Sequence, residues 1–194
     1  MNIGIDIDDT ITKTSEEVDI YAKEYTEKVL NRKFELKQVE ILNPMWAQYL
    51  YGWTDEEDKK FWDIYYEKIM ENVKPKEDAI RIINELSEEH NIIIITARWD
   101  RESKIIAYIT KEWLNRYNVK YHKLFIGHLD KRNISKENHI ELFIDDSIKT
   151  CREISEIGIK TFMMNSRINQ NFKDDKLERV FSWKEIKEKI KEVN

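Results

Sequence analysis

A chain of 194 residues with 41% hydrophobic and 11% aromatic content can fill one α/β core plus an insertion, or two small domains, and is too apolar to stay disordered. Charged residues reach 37% yet nearly cancel to a net −5, which argues against a nucleic-acid polymer as partner, since that would call for a basic excess or stripe. A single cysteine, Cys151, allows no internal disulfide; no apolar run approaches a membrane span, and an apolar strand stands where a signal peptide would be, so the cytoplasm is the expected compartment.

The chain opens on Asn2-Ile3-Gly4-Ile5-Asp6-Ile7-Asp8-Asp9-Thr10, a β-branched run that stops in acids and reads as a buried strand ending at an open edge. Val18, Tyr21, Tyr25 and Val29 then recur at helical steps. Residues 34–52 are less regular, with a break expected at Asn43-Pro44. A second amphipathic stretch carries Phe61, Trp62, Tyr65, Tyr66, Ile69 and Val73, with Thr54 and Glu57 spaced as a capping box and Pro75 closing it. Residues 13–74 therefore read as a small helical insertion after the first strand, dividing the rest into segments 1–12 and 75–194.

From Lys76 onward helices alternate with strands. The order is a helix with Ala79, Ile82, Ile83 and Leu86, a strand Ile92–Thr96, a helix with Ile105, Ile106, Ile109 and Trp113, and a strand Lys123–Ile126. A short helix near Asn133–His139, a strand Glu141–Asp145, a helix Ile148–Ile157, a strand Ile159–Met164 and a last helix with Trp183, Ile186, Ile190 and Val193 follow. This alternation predicts an α/β fold, a Rossmann-like parallel sheet with helices on both faces. Four glycines form no dinucleotide or P-loop fingerprint.

Three of these strands end in polar chemistry: the first in Asp6, Asp8 and Asp9, the second in Thr96-Ala97-Arg98, and the fourth in Asp145-Asp146-Ser147. Side chains two apart on a strand point the same way, so Asp6 and Asp8 start on one face. Parallel sheets form sites beyond the carboxyl ends of their strands. Carboxylates gathered there repel one another unless a cation intervenes, and oxygen ligands without His or Cys favour a hard ion, Mg²⁺. Taken singly, Asp9, Thr12, Asp146 or Ser147 can serve simply as helix caps; the set Asp6, Asp8, Asp145 and Asp146 at two strand ends is not explained that way.

The pattern resembles the haloacid dehalogenase superfamily of phosphotransferases. Asp6-Ile7-Asp8-Asp9-Thr10 resembles its first motif, Thr96 its second, a lysine its third and Asp145-Asp146 its fourth. The helical insertion is similar to the cap of the 5'(3')-deoxyribonucleotidases, and a group of bacterial nucleotidases shares Thr-Ala-Arg and an Asp-Lys ahead of Ile-Asp-Asp-Ser. The resemblance implies that Asp6 attacks phosphorus, that Asp8 protonates the departing oxygen and then activates water, and that Thr96 and the lysine hold the phosphoryl oxygens. It implies Mg²⁺ held by Asp6, the backbone carbonyl of Asp8, and the pair Asp145 and Asp146.

Lys123 precedes its strand and so lies at the wrong end. Lys131 lies beyond that strand's carboxyl end and is the assigned lysine, with Lys136 in reserve. Thr10 either helps bind phosphate or only shapes the turn. Arg98 either faces the substrate or forms an exposed ion pair. The aromatics of the insertion mainly supply its own core, while Trp46 and Tyr49 are assigned to the cleft, where a nucleobase would stack. The scattered histidines, His122 and His128 among them, lack ligand spacing. The expected activity is hydrolysis of a small phosphomonoester, a nucleoside monophosphate in first place. A sugar phosphate, a phospho-acceptor domain of the response-regulator type and a binding protein without turnover are the alternatives.

Overall fold

A computed structural model of the chain describes residues 1–37, 46–99, 105–127 and 130–193, the side chains of Trp46 and Val193 excepted. The expected break at Asn43-Pro44 and His128 lie outside the described residues. Six parallel strands form one sheet: β1 (Asn2–Ile5), β2 (Asn91–Thr96), β3 (Lys123–Ile126), β4 (Leu142–Asp145), β5 (Lys160–Met164) and β6 (Glu178–Val180), in the order β3-β2-β1-β4-β5-β6. The chain builds outward from β1 to β3 on one side, then returns to lay β4 to β6 on the other. β1 thus sits at the switch point, where neighbouring connections leave in opposite directions and open a crevice at the carboxyl ends.

Alternation along the strands divides the core between the two faces. Ile3, Ile5, Ile92 and Ile94 point to one side, with Ala79, Ile82, Ile83, Trp113, Trp183 and Ile186. Those side chains come from α4 (Ala79–Leu86), α5 (Ile105–Arg116) and α8 (Trp183–Val193). Ile93, Ile95 and Phe143 point to the other, with Ile134 of α6 (Lys131–Glu137) and Ile154 of α7 (Ile148–Ser155). Because both faces are covered, four consecutive isoleucines, Ile92 to Ile95, are all buried. Gly4 is required by close approach: a Cβ there would stand 2.5 Å from Cδ2 of Phe143, its partner across the β1–β4 ladder.

Between β1 and α4 the described residues form three helices: α1 (Thr14–Glu24), which runs on through a wider π-type turn at Tyr25–Val29, α2 (Trp46–Tyr51) and α3 (Asp55–Asn72). These helices share a core of their own in which Tyr25, Trp53, Phe61 and Tyr65 are buried against one another. The Thr54–Glu57 capping box is present at the start of α3. Thr12 and Pro75 bridge antiparallel where the segment leaves and rejoins the sheet, and Ile106 of α5 packs into the helical core.

Two features differ from the sequence reading. β6 was not foreseen, since three residues are too few to display a period of two. The short helix before β4 begins at Lys131 rather than near Asn133, because Asp130 caps it, accepting from Arg132 N at 3.1 Å and Asn133 N at 3.4 Å. Among the described residues no helix is long and apolar enough to cross a membrane.

Candidate active site

β1 ends at Ile5, and the next residues wrap tightly: the amides of Thr10, Ile11 and Thr12 all donate to the carbonyl of Ile7 at 2.9–3.3 Å. Asp9 takes a left-handed φ of 52° in this turn, a conformation that Asp tolerates better than most side chains. Its carboxylate accepts the amide of Ser15 at 2.9 Å and the Ser15 hydroxyl, which ties the turn to the first turn of α1. Asp9 therefore has the capping role. Asp6 and Asp8 emerge on the crevice side.

Asp6 is buried at the carboxyl end of β1, and the ammonium of Lys131 lies between it and Asp145. Lys131 is only 4% exposed, its Nζ donating to Asp145 Oδ2 at 2.7 Å and to Asp6 Oδ1. Its position follows from the Asp130 cap, which makes Lys131 the first helical residue and turns it toward β1 and β4. Lys136 is exposed, and Lys123 donates to Asn138 away from the site. Oxygens of Asp6, Asp145 and Asp146 lie within 4.8 Å of one another, all three side chains buried. Asp145 Oδ1 also accepts the amide of Ser147 at 2.8 Å.

The carboxylate of Asp8 is not part of that trio. Arg98, 1% exposed, forks onto it: Nη2 reaches Oδ1 at 2.8 Å and Nε reaches Oδ2 at 3.0 Å. Thr14 adds a donor to Oδ1 at 2.7 Å. Arg98 thus differs from the exposed ion pair that was one alternative for it. Its Nη1 is buried without a hydrogen-bond partner among the described residues, as is the Thr10 hydroxyl. Thr96 is buried at the end of β2, its hydroxyl oxygen accepting the Arg98 amide at 3.3 Å.

These contacts set the electrostatics. Burial pushes the Asp6 carboxyl up to about 7, with the charges of Asp145 and Asp8 adding to the rise and Lys131 opposing it. Burial, then the charges of Asp9, Asp145 and Asp6, drives Asp146 well above the carboxylate range. Asp8 goes the other way: burial works against its charge, but Arg98 and Thr14 outweigh it and hold the carboxyl below its ordinary value. Four carboxylates here face two cations, Lys131 and Arg98. A buried, all-oxygen trio whose joint ionisation burial and mutual repulsion oppose fits a hard divalent cation, which would favour the charged forms, and the donor chemistry matches Mg²⁺.

The remaining predicted positions are more scattered. Tyr49 is 49% exposed on α2, and the Trp46 side chain lies outside the described residues. Cys151 is buried packing whose thiol donates to the Asp145 carbonyl at 3.4 Å. A cleft of about 470 Å³ opens beside the acids, lined by Asp9, Ser15, Lys76, Ser166 and Arg167 but by none of Asp6, Asp8, Thr96 or Lys131. Sequence reasoning missed Thr14, which steadies Asp8. It also missed Asn169, whose side chain donates to the carbonyls of Asp146 at 2.7 Å and Met164 at 2.8 Å and so pins the ends of β4 and β5 together. Lone Thr and Asn residues in loops carry no local pattern that would announce such contacts.

Comparison with known proteins bears on this site. The sequence model of the family described as 5' nucleotidase, deoxy (pyrimidine), cytosolic type C protein matches residues 1–193. A nucleotidase of Clostridium acetobutylicum is 29% identical over 192 residues, spanning 96% of this chain and 91% of the relative. A Bacillus subtilis protein is 32% identical over 195 residues, spanning 95% and 91%. Among solved structures, a haloacid dehalogenase-like hydrolase from Streptococcus pneumoniae superposes with a TM-score of 0.68 over 97% of both chains at 14% identity, a likeness of fold. With a haloacid dehalogenase-like fold, the acid-lined crevice and a match along almost its whole length, the chain belongs to the 5' nucleotidase, deoxy (pyrimidine), cytosolic type C family and is a phosphomonoester hydrolase.

Proposed function

We propose that this hydrolase is a Mg²⁺-dependent nucleotidase that works through an aspartyl phosphate on Asp6 and takes nucleoside or deoxynucleoside monophosphates. The observation that carries the reading is the meeting of Asp6, Lys131, Asp145 and Asp146 in one buried group at the switch point of the sheet. Asp6, Asp145 and Asp146, with the carbonyl of Asp8, would hold the ion, which when bound neutralises carboxylate and phosphate charge that would otherwise repel.

A carboxylate oxygen of Asp6 attacks phosphorus, and the ester P–O bond breaks with its electron pair leaving on the alcohol oxygen. Asp8 supplies the proton that oxygen needs. Water then attacks the phosphorus of the aspartyl phosphate, Asp8 takes the water's proton, and inorganic phosphate departs, restoring Asp6. An Asp8 held ionised by Arg98 suits this second half; the negative charge of an arriving phosphate raises its proton affinity for the first. In this reading Lys131 and Thr96 hold the phosphoryl oxygens as they gather charge, and the Thr10 hydroxyl, without a partner among the described residues, joins them.

The helical segment 13–74 acts in this reading as a cap that excludes bulk water and selects compact substrates. Its separate core and the Trp99 amide donating to the Tyr66 hydroxyl at 3.2 Å support a defined seat on the core domain. The exposed ring of Tyr49 is the described aromatic assigned to base stacking, with Trp46 as its companion. Phosphate release from a panel of nucleoside monophosphates and sugar phosphates, with Mg²⁺ and with a chelator, tests the proposal. Turnover of nucleotides that stops in chelator supports it; turnover of sugar phosphates alone refutes the substrate class, and metal-independent turnover refutes the role of the trio.

A further inference from the structure

The two oxygens of Asp8 are not equivalent. Oδ1 takes Arg98 Nη2 at 2.8 Å, Thr14 Oγ1 at 2.7 Å and a longer approach from Arg98 Nε at 3.2 Å, whereas among the described residues Oδ2 takes only Nε, at 3.0 Å. The donors are themselves fixed. Thr14, whose single hydroxyl proton goes to Asp8, accepts in turn from the Thr12 hydroxyl at 2.7 Å, and the Arg98 amide is held by Thr96. A planar guanidinium bound through two nitrogens sets the plane and the rotation of the carboxylate it grips, which a point charge does not.

We propose that Arg98 is a positioning residue for the proton transfer: it clamps Asp8, with Thr14 on the same oxygen, so that Oδ2 is the atom presented to the leaving group. The inference rests on the reading of Asp8 as the acid given above. As the ester bond breaks, its electron pair stays on the alcohol oxygen and the proton passes there from Asp8 Oδ2; Arg98 neither gives nor takes a proton, since guanidinium does not deprotonate in proteins. Nη1, the nitrogen outside the fork, is left buried without a partner among the described residues.

The test uses how much each leaving group needs a proton. A nucleoside alkoxide leaves poorly without one; p-nitrophenolate leaves readily. In Mg²⁺, kcat and KM are measured for a nucleoside 5'-monophosphate and for p-nitrophenyl phosphate with Asp8→Asn, Arg98→Lys, Arg98→Ala and the milder Thr14→Val. Asp8→Asn is expected to lose about 100-fold more kcat on the nucleotide than on the aryl ester. Arg98→Lys, which keeps the charge and loses the fork, and Thr14→Val are expected to share that selective loss in kcat at smaller size, and added guanidinium ion restores part of the nucleotide activity of Arg98→Ala. Equal losses on both substrates for the Arg98 and Thr14 variants, with Asp8→Asn selective, overturn the positioning role alone. Equal losses for Asp8→Asn overturn the acid role of Asp8 and this inference with it. Should Arg98→Ala fail to fold, Arg98→Lys and Thr14→Val decide the matter.

Discussion

Replacing Lys131 by methionine keeps most of the side chain's bulk and removes its charge. The ammonium is 4% exposed and lies between two buried carboxylates, Asp6 and Asp145. Breaking a buried ion pair by deleting one partner leaves an uncompensated charge and costs about 3–5 kcal/mol. For a chain of this size that is a fall in Tm of about 6–20 °C. The loss depends on pH in a direction the site dictates. Asp6 is already pushed up to about 7 by burial, with Lys131 pulling the other way, so without Lys131 its proton is held more tightly still. A carboxyl whose folded-state value is raised adds stability at low pH that is lost as pH rises through that value. Lys131→Met is therefore expected to lose less Tm at pH 6 than at pH 8, measured by circular dichroism melts in chelator, where no metal fills the gap. Phosphate release is expected to fall about 100-fold in Mg²⁺. Lys136→Met, changed on an exposed face, is the control and stays within about 0.5 kcal/mol. A Lys131→Met protein melting within about 2 °C of the parent at pH 8 would show that the ammonium does not balance buried charge, and the reasoning about this site would fail.

Gly4→Ala places a methyl 2.5 Å from Phe143 and is expected to cost about 1–3 kcal/mol in urea titrations, part of it recovered in the double variant with Phe143→Leu; a neutral Gly4→Ala would contradict the close approach of β1 and β4. Phe61→Ala empties the middle of the insertion's aromatic core and should cost about 3–5 kcal/mol; a loss below 1 kcal/mol would mean that this core is loosely packed. Arg167, in the loop after β5, forks onto Asp19 of α1, which also accepts the Tyr51 hydroxyl at 2.7 Å. Arg167→Met and Asp19→Asn should each destabilise by about 1–3 kcal/mol, and the double variant by clearly less than their sum; strict additivity would show that the pair is not coupled.

The sheet was legible because burial on two faces writes itself into a strand as an uninterrupted apolar run, as at Ile92–Ile95, and because helices between strands keep their apolar residues three and four apart. The site was legible to the extent that its residues sit at strand ends, where topology alone sends Asp6, Thr96 and Asp145 to one edge. Lys131 could be selected over Lys123 by the same reasoning about which end of a strand it follows, and over Lys136 by its place at the start of the helix, where the nucleotidase pattern has its lysine. Arg98 was harder: the sequence places it near the crevice, but its partner, Asp8, is ninety residues away, and an arginine after a strand reads equally as surface. Thr14, Asn169 and the Arg167–Asp19 contact had no signature at all: Thr14 reaches Asp8 only because the turn between them folds back, and Asn169 and Arg167 meet Asp146 and Asp19 from other parts of the chain.

By itself, then, the order of residues determined the parallel sheet, the helical segment after the first strand and the identity of the acids at the crevice, because periodicity and strand ends are local properties that nearest neighbours enforce. Only the folded arrangement decided which oxygens of those acids converge, that Asp8 turns to Arg98 instead of joining Asp6, Asp145 and Asp146, and that Lys131 sits between two of them. Those outcomes are set by distances between segments and by the cost of burying charge without a partner, and neither quantity is written in any single stretch of the chain.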